Sequence, residues 1–549
     1  MNKTKKTKNP IWFALAANAA TLIVALFAYR PFFEENDDAF LAMIAEGAYG
    51  MSEVRLIYVN VILGYLYRFL YSVAPMVRWH SVLQYVFIFM AFTAFTYVIM
   101  AICIKRKTEK IAKPLSIVFL LAMAYEGYVS LQYSKTATIT ASAGFLILLY
   151  SLRRRDDKDD VTVSRKELNI LDAIAYLLIF YAMLLRDSSF MLAGLLTVPL
   201  GLAEFVKSLK AGKGKALARY VFTFLPVLIF LVVFMKVDRI AYNRDASWKS
   251  FMEYNDTRMQ LLDYRYDLLD YNMHSSRLDK AGISANDAFM YLTWQFGDDT
   301  VLTTAKMEEV LSGAPGRWTP VTCLKALTAH VYEDLLIFNP LVLGLLLILT
   351  YILLTCVKNM DRRGAFFLVP EFVVFSAVLV YYEYCGRWSH RIVYAAMLGF
   401  FMQLVCMAAF RSEAHNDHEK RSGRVLNIAA VGIVLFVACL TVLAGNRLDY
   451  NDYLRTGTEY HALFDSLKED KDTLYIADTF TFQEAYKYDV FRPYEKGSLD
   501  NFVAVGSWFV NSPVTREITE AFGFKNPFLA LTGKPAKGKQ VLLIDNMYL

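Results

Sequence analysis

Apolar and polar residues fall in long alternating blocks along this chain. An apolar run from Ile11 to Tyr29 follows Lys3, Lys5, Lys6 and Lys8. Further apolar blocks cover 81–104, 114–133, 136–152, 168–186, 188–206, 219–236, 335–357, 364–382, 391–410 and 425–445. Each has about the length that crosses roughly 30 Å of hydrocarbon as a helix. The first run is too long for a signal-peptide core, and Arg30-Pro31-Phe32-Phe33 offers no small-residue cleavage site, so it reads as a retained helix.

The connections between blocks set the orientation. Lys105-Arg106-Lys107, Arg153-Arg154-Arg155, Lys207 to Arg219, Arg362-Arg363 and Arg411 to Arg424 fall in every second connection. This positive-inside bias predicts eleven spans, with the N-terminus inside and the C-terminus outside. Residues 56–74 are apolar enough to cross, but a crossing there would carry the next two basic loops outside. That segment is expected to lie at the outer interface, a depth that suits Tyr58, Tyr65, Tyr67 and Tyr71.

Three outer pieces result: a first loop 30–80, a long loop 237–333 and a C-terminal segment 446–549. The long loop reads as helical, with Phe251, Tyr254, Met259, Leu262, Tyr266 and Leu269 at near-helical spacing. Ser284 with Asp287 three residues on reads as a capping box. Asp298-Asp299 reads as a turn or cap before a helix at Met307–Leu311 rather than as a metal site. In the last segment, 473–477 and 541–545 read as strands, and 452–468 and 513–522 as helices. The predicted fold is an all-α polytopic membrane domain, 1–445, followed by a small extracytoplasmic α/β domain, 446–549.

Composition agrees with this picture. Of 549 residues, 56% are hydrophobic, 15% aromatic and only 20% charged, against about 25% charged in soluble domains. The net charge of +6 is scattered through short loops, which argues against nucleic-acid binding. The six cysteines form no CxxC or Cys/His cluster, so neither a zinc site nor a disulfide framework is indicated.

Ionisable residues at span ends are costly and are candidates for function. Glu34-Glu35-Asn36-Asp37-Asp38 follows the first span, and Glu126 lies toward the outer end of the third. Lys135, Arg186-Asp187, and Glu383, Arg387, His390 and Arg391 fall at the same expected depth. Solvated loop exits, a turn pair and headgroup anchors would explain many of these individually. Together they could hold an anionic group with cations and a nucleophile with a carboxylate.

The run Phe33-Glu34-Glu35-Asn36-Asp37-Asp38 after a retained first helix, the juxtamembrane helix 56–74, and late spans leading to an outer C-terminal domain resemble the GT-C glycosyltransferases. The segment NDDAFLAMIAEGAYG also resembles bacterial membrane proteins grouped with that superfamily. The resemblance implies a polyprenyl-phosphate sugar donor, a cell-envelope glycan or lipid acceptor, and a site on the outer face of the bacterial plasma membrane. It implies Asp37 as general base, with Asp38 supporting geometry or a metal. By position, Glu126 matches a second acid. Lys135, Arg186, Arg387 and Arg391 are the donor-phosphate candidates, supported by Asp187, Glu383 and His390. The family's Lys-Pro-Pro or His-Pro-Pro is replaced by Leu56-Ile57-Tyr58-Val59-Asn60. No DxD motif stands in the first loop; this weighs against metal dependence, although a divalent Mg or Mn stays open as a cofactor. The competing readings are a lipid-linked oligosaccharide flippase or transporter, an O-antigen polymerase or ligase-like protein, and a purely structural membrane protein.

Overall fold

A computed structural model describes residues 10–50, 52–105, 109–156, 163–210, 215–336, 339–358, 362–412 and 458–544. The expected span 425–445 and Cys439 lie outside the described residues.

The chain is a helical polytopic membrane protein. Among the described residues, nine helices are long and apolar enough to cross a bilayer: Pro10–Ala28, Trp79–Ile104, Ala112–Val129, Tyr133–Asp156, Arg165–Leu185, Asp187–Lys210, Ala216–Asn243, Leu368–Cys385 and His390–Phe410. The expected block 335–357 is divided between the end of the helix Pro320–Leu336 and an apolar helix, Pro340–Lys358. Tyr133–Asp156 is the axis of the bundle and is buried along its hydrophobic window. Its small residues let neighbours approach closely. A Cβ on Gly144 would stand 2.8 Å from the Ala175 carbonyl oxygen. The periphery is apolar, with Phe222, Leu228 and Val232 exposed, as a lipid-facing surface requires.

With Pro340–Lys358 counted, successive long apolar helices reverse direction, so two ends can be distinguished. One end carries Arg153, Arg155 and Arg219, held by ion pairs such as Arg153–Glu204 at 2.6 Å and Arg155–Asp172 at 2.7 Å. The other end gathers residues 29–78, 125–133, 186, 243–336 and 386–390.

Three local features shape that second end. The expected span 114–133 does not finish as an α-helix. It widens into a π-turn at Tyr125–Val129 and then pairs Ser130–Leu131 in parallel with Phe32–Phe33. The expected helix 56–74 begins only at Val61, because residues 52–60 are non-helical. Asn60 caps it, accepting from Ile62 N–H at 3.0 Å. At 13 residues, Val61–Val73 is about 20 Å long and too short to cross. It buries Leu63, Tyr67 and Tyr71 and exposes Tyr65, Leu66, Phe69 and Val73. Gly64 is required here, since a Cβ would fall 2.0 Å from the Val54 carbonyl oxygen.

The long loop forms Ala246–Arg258, Tyr271–Lys280, Ala285–Leu292, Thr304–Leu311 and Pro320–Leu336. Ser284 and Asp287 form the expected capping box. Asp298 closes a turn on Thr300, and Thr303 caps Thr304–Leu311. The last part holds a parallel three-stranded sheet, with Thr473–Ala477 between Phe502–Ala504 and Gln540–Ile544. Helices Thr458–Leu467, Thr479–Tyr486 and Pro513–Ala521 accompany it.

This part packs on the first loop. Phe40, on the helix Asn36–Glu46, meets Phe482 at 5.3 Å and Phe509 at 4.6 Å between ring centroids. Glu46 accepts from Arg78 Nε at 2.8 Å and from Tyr494 N–H at 3.0 Å. Arg78 also donates to the Asp489 carbonyl.

Candidate functional site

The helix Asn36–Glu46 carries both aspartates in its first turn, where the helix dipole favours negative charge. Neighbouring residues point about 100° apart, and their surroundings differ accordingly. Asp38 turns into the bundle and is fully buried. Its Oδ1 meets His80 Nε2 and Gln84 Nε2, each at 2.9 Å, and its Oδ2 accepts from Tyr133 N–H at 3.1 Å. Every oxygen of Asp38 is therefore engaged. Asp37 pairs through Oδ2 with Arg391. Among the described residues, nothing donates to its Oδ1, so one oxygen keeps its lone pairs for another proton.

Arg186 lies in the turn between two spans. Its guanidinium carbon is 4.9 Å from the Tyr58 ring centroid and 5.6 Å from that of Tyr133. Among the described residues, no carboxylate lies within ion-pairing distance of it; Asp187 instead accepts from its neighbour Ser188 N–H at 2.6 Å. Tyr58 is held by strained backbone. Ile57, a β-branched residue, sits at φ +65° and donates its N–H to Tyr242 Oη at 2.6 Å. Such strain costs about 1–3 kcal/mol and concentrates at functional sites. Trp508, from the C-terminal part, packs against Tyr58 with ring centroids 5.0 Å apart.

The long loop contributes further charge. Arg258 donates to Tyr58 Oη at 3.4 Å and pairs with Asp263 at 3.4 Å. Asp263 also pairs with Arg387 at 3.3 Å. Arg186, Arg258 and Arg387 are thus linked through Tyr58 and Asp263, while Arg391 pairs with Asp37 itself. Burial pushes the Tyr58 phenol above its ordinary range, with Arg258 opposing. Burial also raises the Glu35 carboxyl, against the pull of Arg391.

A second cluster adjoins the first. Lys135 is buried, contacts Glu34, and lies 2.6 Å from Glu126 and 3.0 Å from Ser130 Oγ. The π-turn and the Phe32–Phe33 pairing bring these acids together. Asn339 donates to Glu126 at 2.6 Å, and His390 Nδ1 lies 2.7 Å from Glu34. Burial alone would raise the Glu34 carboxyl, but the Lys135 and His390 contacts outweigh it and hold it down to about 2. Ligand atoms of Glu34, Glu126 and His390 lie within 4.8 Å of one another, the spacing of a metal set. However, the Lys135 ammonium bridges the two carboxylates and offsets half of their charge. The set does not fit a divalent ion beside it, and no step is assigned to a metal.

The structure brings Asp37, Asp38, Lys135, Arg186, Glu126, His390 and Arg391 to one end, with Arg387 joined through Asp263. Two expected residues have other partners. Asp187 turns back on its own helix, and Glu383 pairs with His330 at 2.8 Å. Lys135, expected at a phosphate, is engaged by the two glutamates. Cys323 and Cys385 are both free thiols.

His80, Gln84, Asn339 and Arg258 lie at the site without having been singled out from the sequence. His80 and Gln84 are polar residues four apart at the start of an apolar run, and that spacing is a usable signal. Asn339 before Pro340 is a readable cap. Arg258 has no such signal, because it looks like any charge on an amphipathic helix. Comparison with protein-family models, curated proteins and solved structures gives no match to this chain, so the functional reading rests on the geometry.

Proposed function

We propose that this protein is a membrane glycosyltransferase that moves a sugar from a polyprenyl-phosphate donor to a cell-envelope glycan or lipid. The observation that carries the reading is that Asp37 and Arg186 both act on Tyr58 and Tyr133, Asp37 with one oxygen that nothing donates to and Arg186 with two aromatic neighbours and no ion-paired acid among the described residues. A base next to an uncompensated cation suits a reaction in which one reactant loses a proton and another leaves as an anion.

In this reading Asp37 Oδ1 takes the proton of an acceptor hydroxyl. The hydroxyl oxygen bonds to the anomeric carbon as the bond from that carbon to the phosphate oxygen breaks. The leaving phosphate gains charge, and Arg186 and Arg391 are placed to stabilise it; an arginine fork matches phosphate oxygens. Lys135 keeps Glu34 and Glu126 in place rather than binding phosphate. The basic residues at the opposite end of the bundle support an extracytoplasmic site in a bacterial plasma membrane. The charges stand at the span ends, not at mid-membrane, which favours an enzyme over a flippase or transporter. Arg258, entering from the long loop, favours a polymerase or ligase-like enzyme as the second reading, since that class uses the same donors without a base after the first span.

The test is transfer from a panel of radiolabelled polyprenyl-phosphate sugars in proteoliposomes. The wild type should transfer from at least one donor. Asp37→Asn should lose about 10²–10⁴-fold in rate, and Arg186→Ala should lose both rate and donor affinity. Equal transfer by Asp37→Asn would remove the base and leave the polymerase-like reading. No transfer from any donor would sink both.

A further inference from the structure

A polar cavity of about 200 Å³ lies between the long loop and the C-terminal part of the chain. The helix Ala246–Arg258 supplies Ser250 and Tyr254, the next segment Asp299 and Thr304, and the C-terminal part Asn511 and Arg516. Asp299 and Arg516 pair at 2.5 Å, so the wall carries no net charge. Asn511 is only 2% exposed. Its Nδ2 donates to Tyr254 Oη at 3.4 Å. Among the described residues, nothing donates to its Oδ1, and the side chains of Ser250 and Thr304 form no hydrogen bond.

This wall selects a class of ligand. The Asn511 amide oxygen opens onto the cavity and offers an acceptor to a donor that fills it. The hydroxyls offer both donors and acceptors. The Asp299–Arg516 pair leaves no net charge for an ionic ligand to match, and an apolar ligand would leave the polar wall unmatched. What fits is a neutral molecule with several hydroxyls. The volume is below the roughly 300–1,000 Å³ of drug-sized pockets, which is room for one sugar ring.

The cavity also has a place relative to Asp37. Tyr254 and Arg258 are four residues apart on one helix, about 6 Å along its axis. Arg258 reaches Tyr58, whose ring faces Arg186. We infer that the cavity binds one monosaccharide unit of the acceptor and holds that chain beside the transfer site. The acceptor role rests on the glycosyl-transfer reading, whereas sugar binding in the cavity does not.

The experiment is saturation-transfer NMR on the full chain in nanodiscs. The probes are the methyl glycosides of glucose, galactose, mannose and N-acetylglucosamine, with inorganic phosphate as competitor. At least one glycoside should bind the wild type. Its affinity should fall at least tenfold in Asn511→Ala and in Ser250→Trp, which fills the cavity from an exposed position and keeps the test open if Asn511→Ala fails to fold. Phosphate should not compete. Binding by none of the glycosides, binding unchanged in Ser250→Trp, or displacement by phosphate would each overturn the inference. Glycoside binding without transfer from any donor would sink the transferase reading and leave the sugar site standing. Transfer without glycoside binding would do the reverse.

Discussion

Asp38 accepts hydrogen bonds from three directions inside the bundle, and this determines what its loss does. Asp38→Asn cannot satisfy His80, Gln84 and the Tyr133 N–H together. Leaving such buried donors without an acceptor costs about 1–3 kcal/mol each, and more than one is left. Asp37→Asn keeps an oxygen for Arg391, and weakening one charged hydrogen bond costs about 1–3 kcal/mol. Thermal unfolding in detergent should therefore rank wild type above Asp37→Asn and Asp37→Asn above Asp38→Asn; the reverse order would contradict the assignment of Asp38 as structural. Glu34 gives a pH prediction. Its carboxyl is held at about 2 against an ordinary 4.5, so the folded state favours its charged form. That stabilisation is full above pH 4.5 and is lost as pH falls through about 2. The melting deficit of Glu34→Gln should be constant from neutral pH down to 4.5 and shrink below it. A deficit that stays constant down to pH 2 would mean the Lys135 and His390 contacts do not hold the charge.

Among elements, the helix Val61–Val73 makes the sharpest prediction. Its exposed Leu66 and Phe69 match an apolar face resting in the lipid interface. Under the proposed function this face borders the path of a lipid-linked donor. Leu66→Lys or Phe69→Lys removes about 1.5 kcal/mol of apolar burial, so the apparent KM for the donor should rise about tenfold with kcat little changed. An unchanged KM would place this helix away from the donor. That this segment would not cross was legible in the charge pattern. Its start at Val61 was not, because the cause is the chain from Ser52 to Asn60 fitting against Tyr242 and Asp238 nearly two hundred residues away. Strand Thr473–Ala477 and the Ser284 box were readable, since local pattern and cap chemistry specify them. Strand Phe502–Ala504 has only three residues, too few to show a period. The π-turn at Tyr125–Val129 continues an apolar run that reads as plain helix, so the inward placement of Glu126 had no local signal. The same holds within the site. The sequence placed acids and bases at one depth, but which aspartate faces Arg391 depends on a residue more than 350 positions later.

For the molecule as a whole, the joint between the first loop and the C-terminal part decides stability. Glu46 and Arg78 are almost fully buried, with side-chain exposures of 1% and 0%. Glu46→Gln leaves the Arg78 charge without its partner and should cost about 3–5 kcal/mol. Limited proteolysis should then release the C-terminal part before the bundle is cut; simultaneous loss of both would show that they unfold as one unit. The same joint has a consequence for biogenesis. Trp508 walls Tyr58, Phe482 and Phe509 cover Phe40, and the Asp489 carbonyl holds Arg78. The helix bearing Asp37 thus receives its final contacts from residues translated more than 400 positions after it. While the chain is still being made, the first spans can already sit in the bilayer with Asp38 held by His80, Gln84 and Tyr133 but Asp37 still without Arg391. The site is completed only once those residues have been made, so under the proposed function a chain stopped before them would be inert.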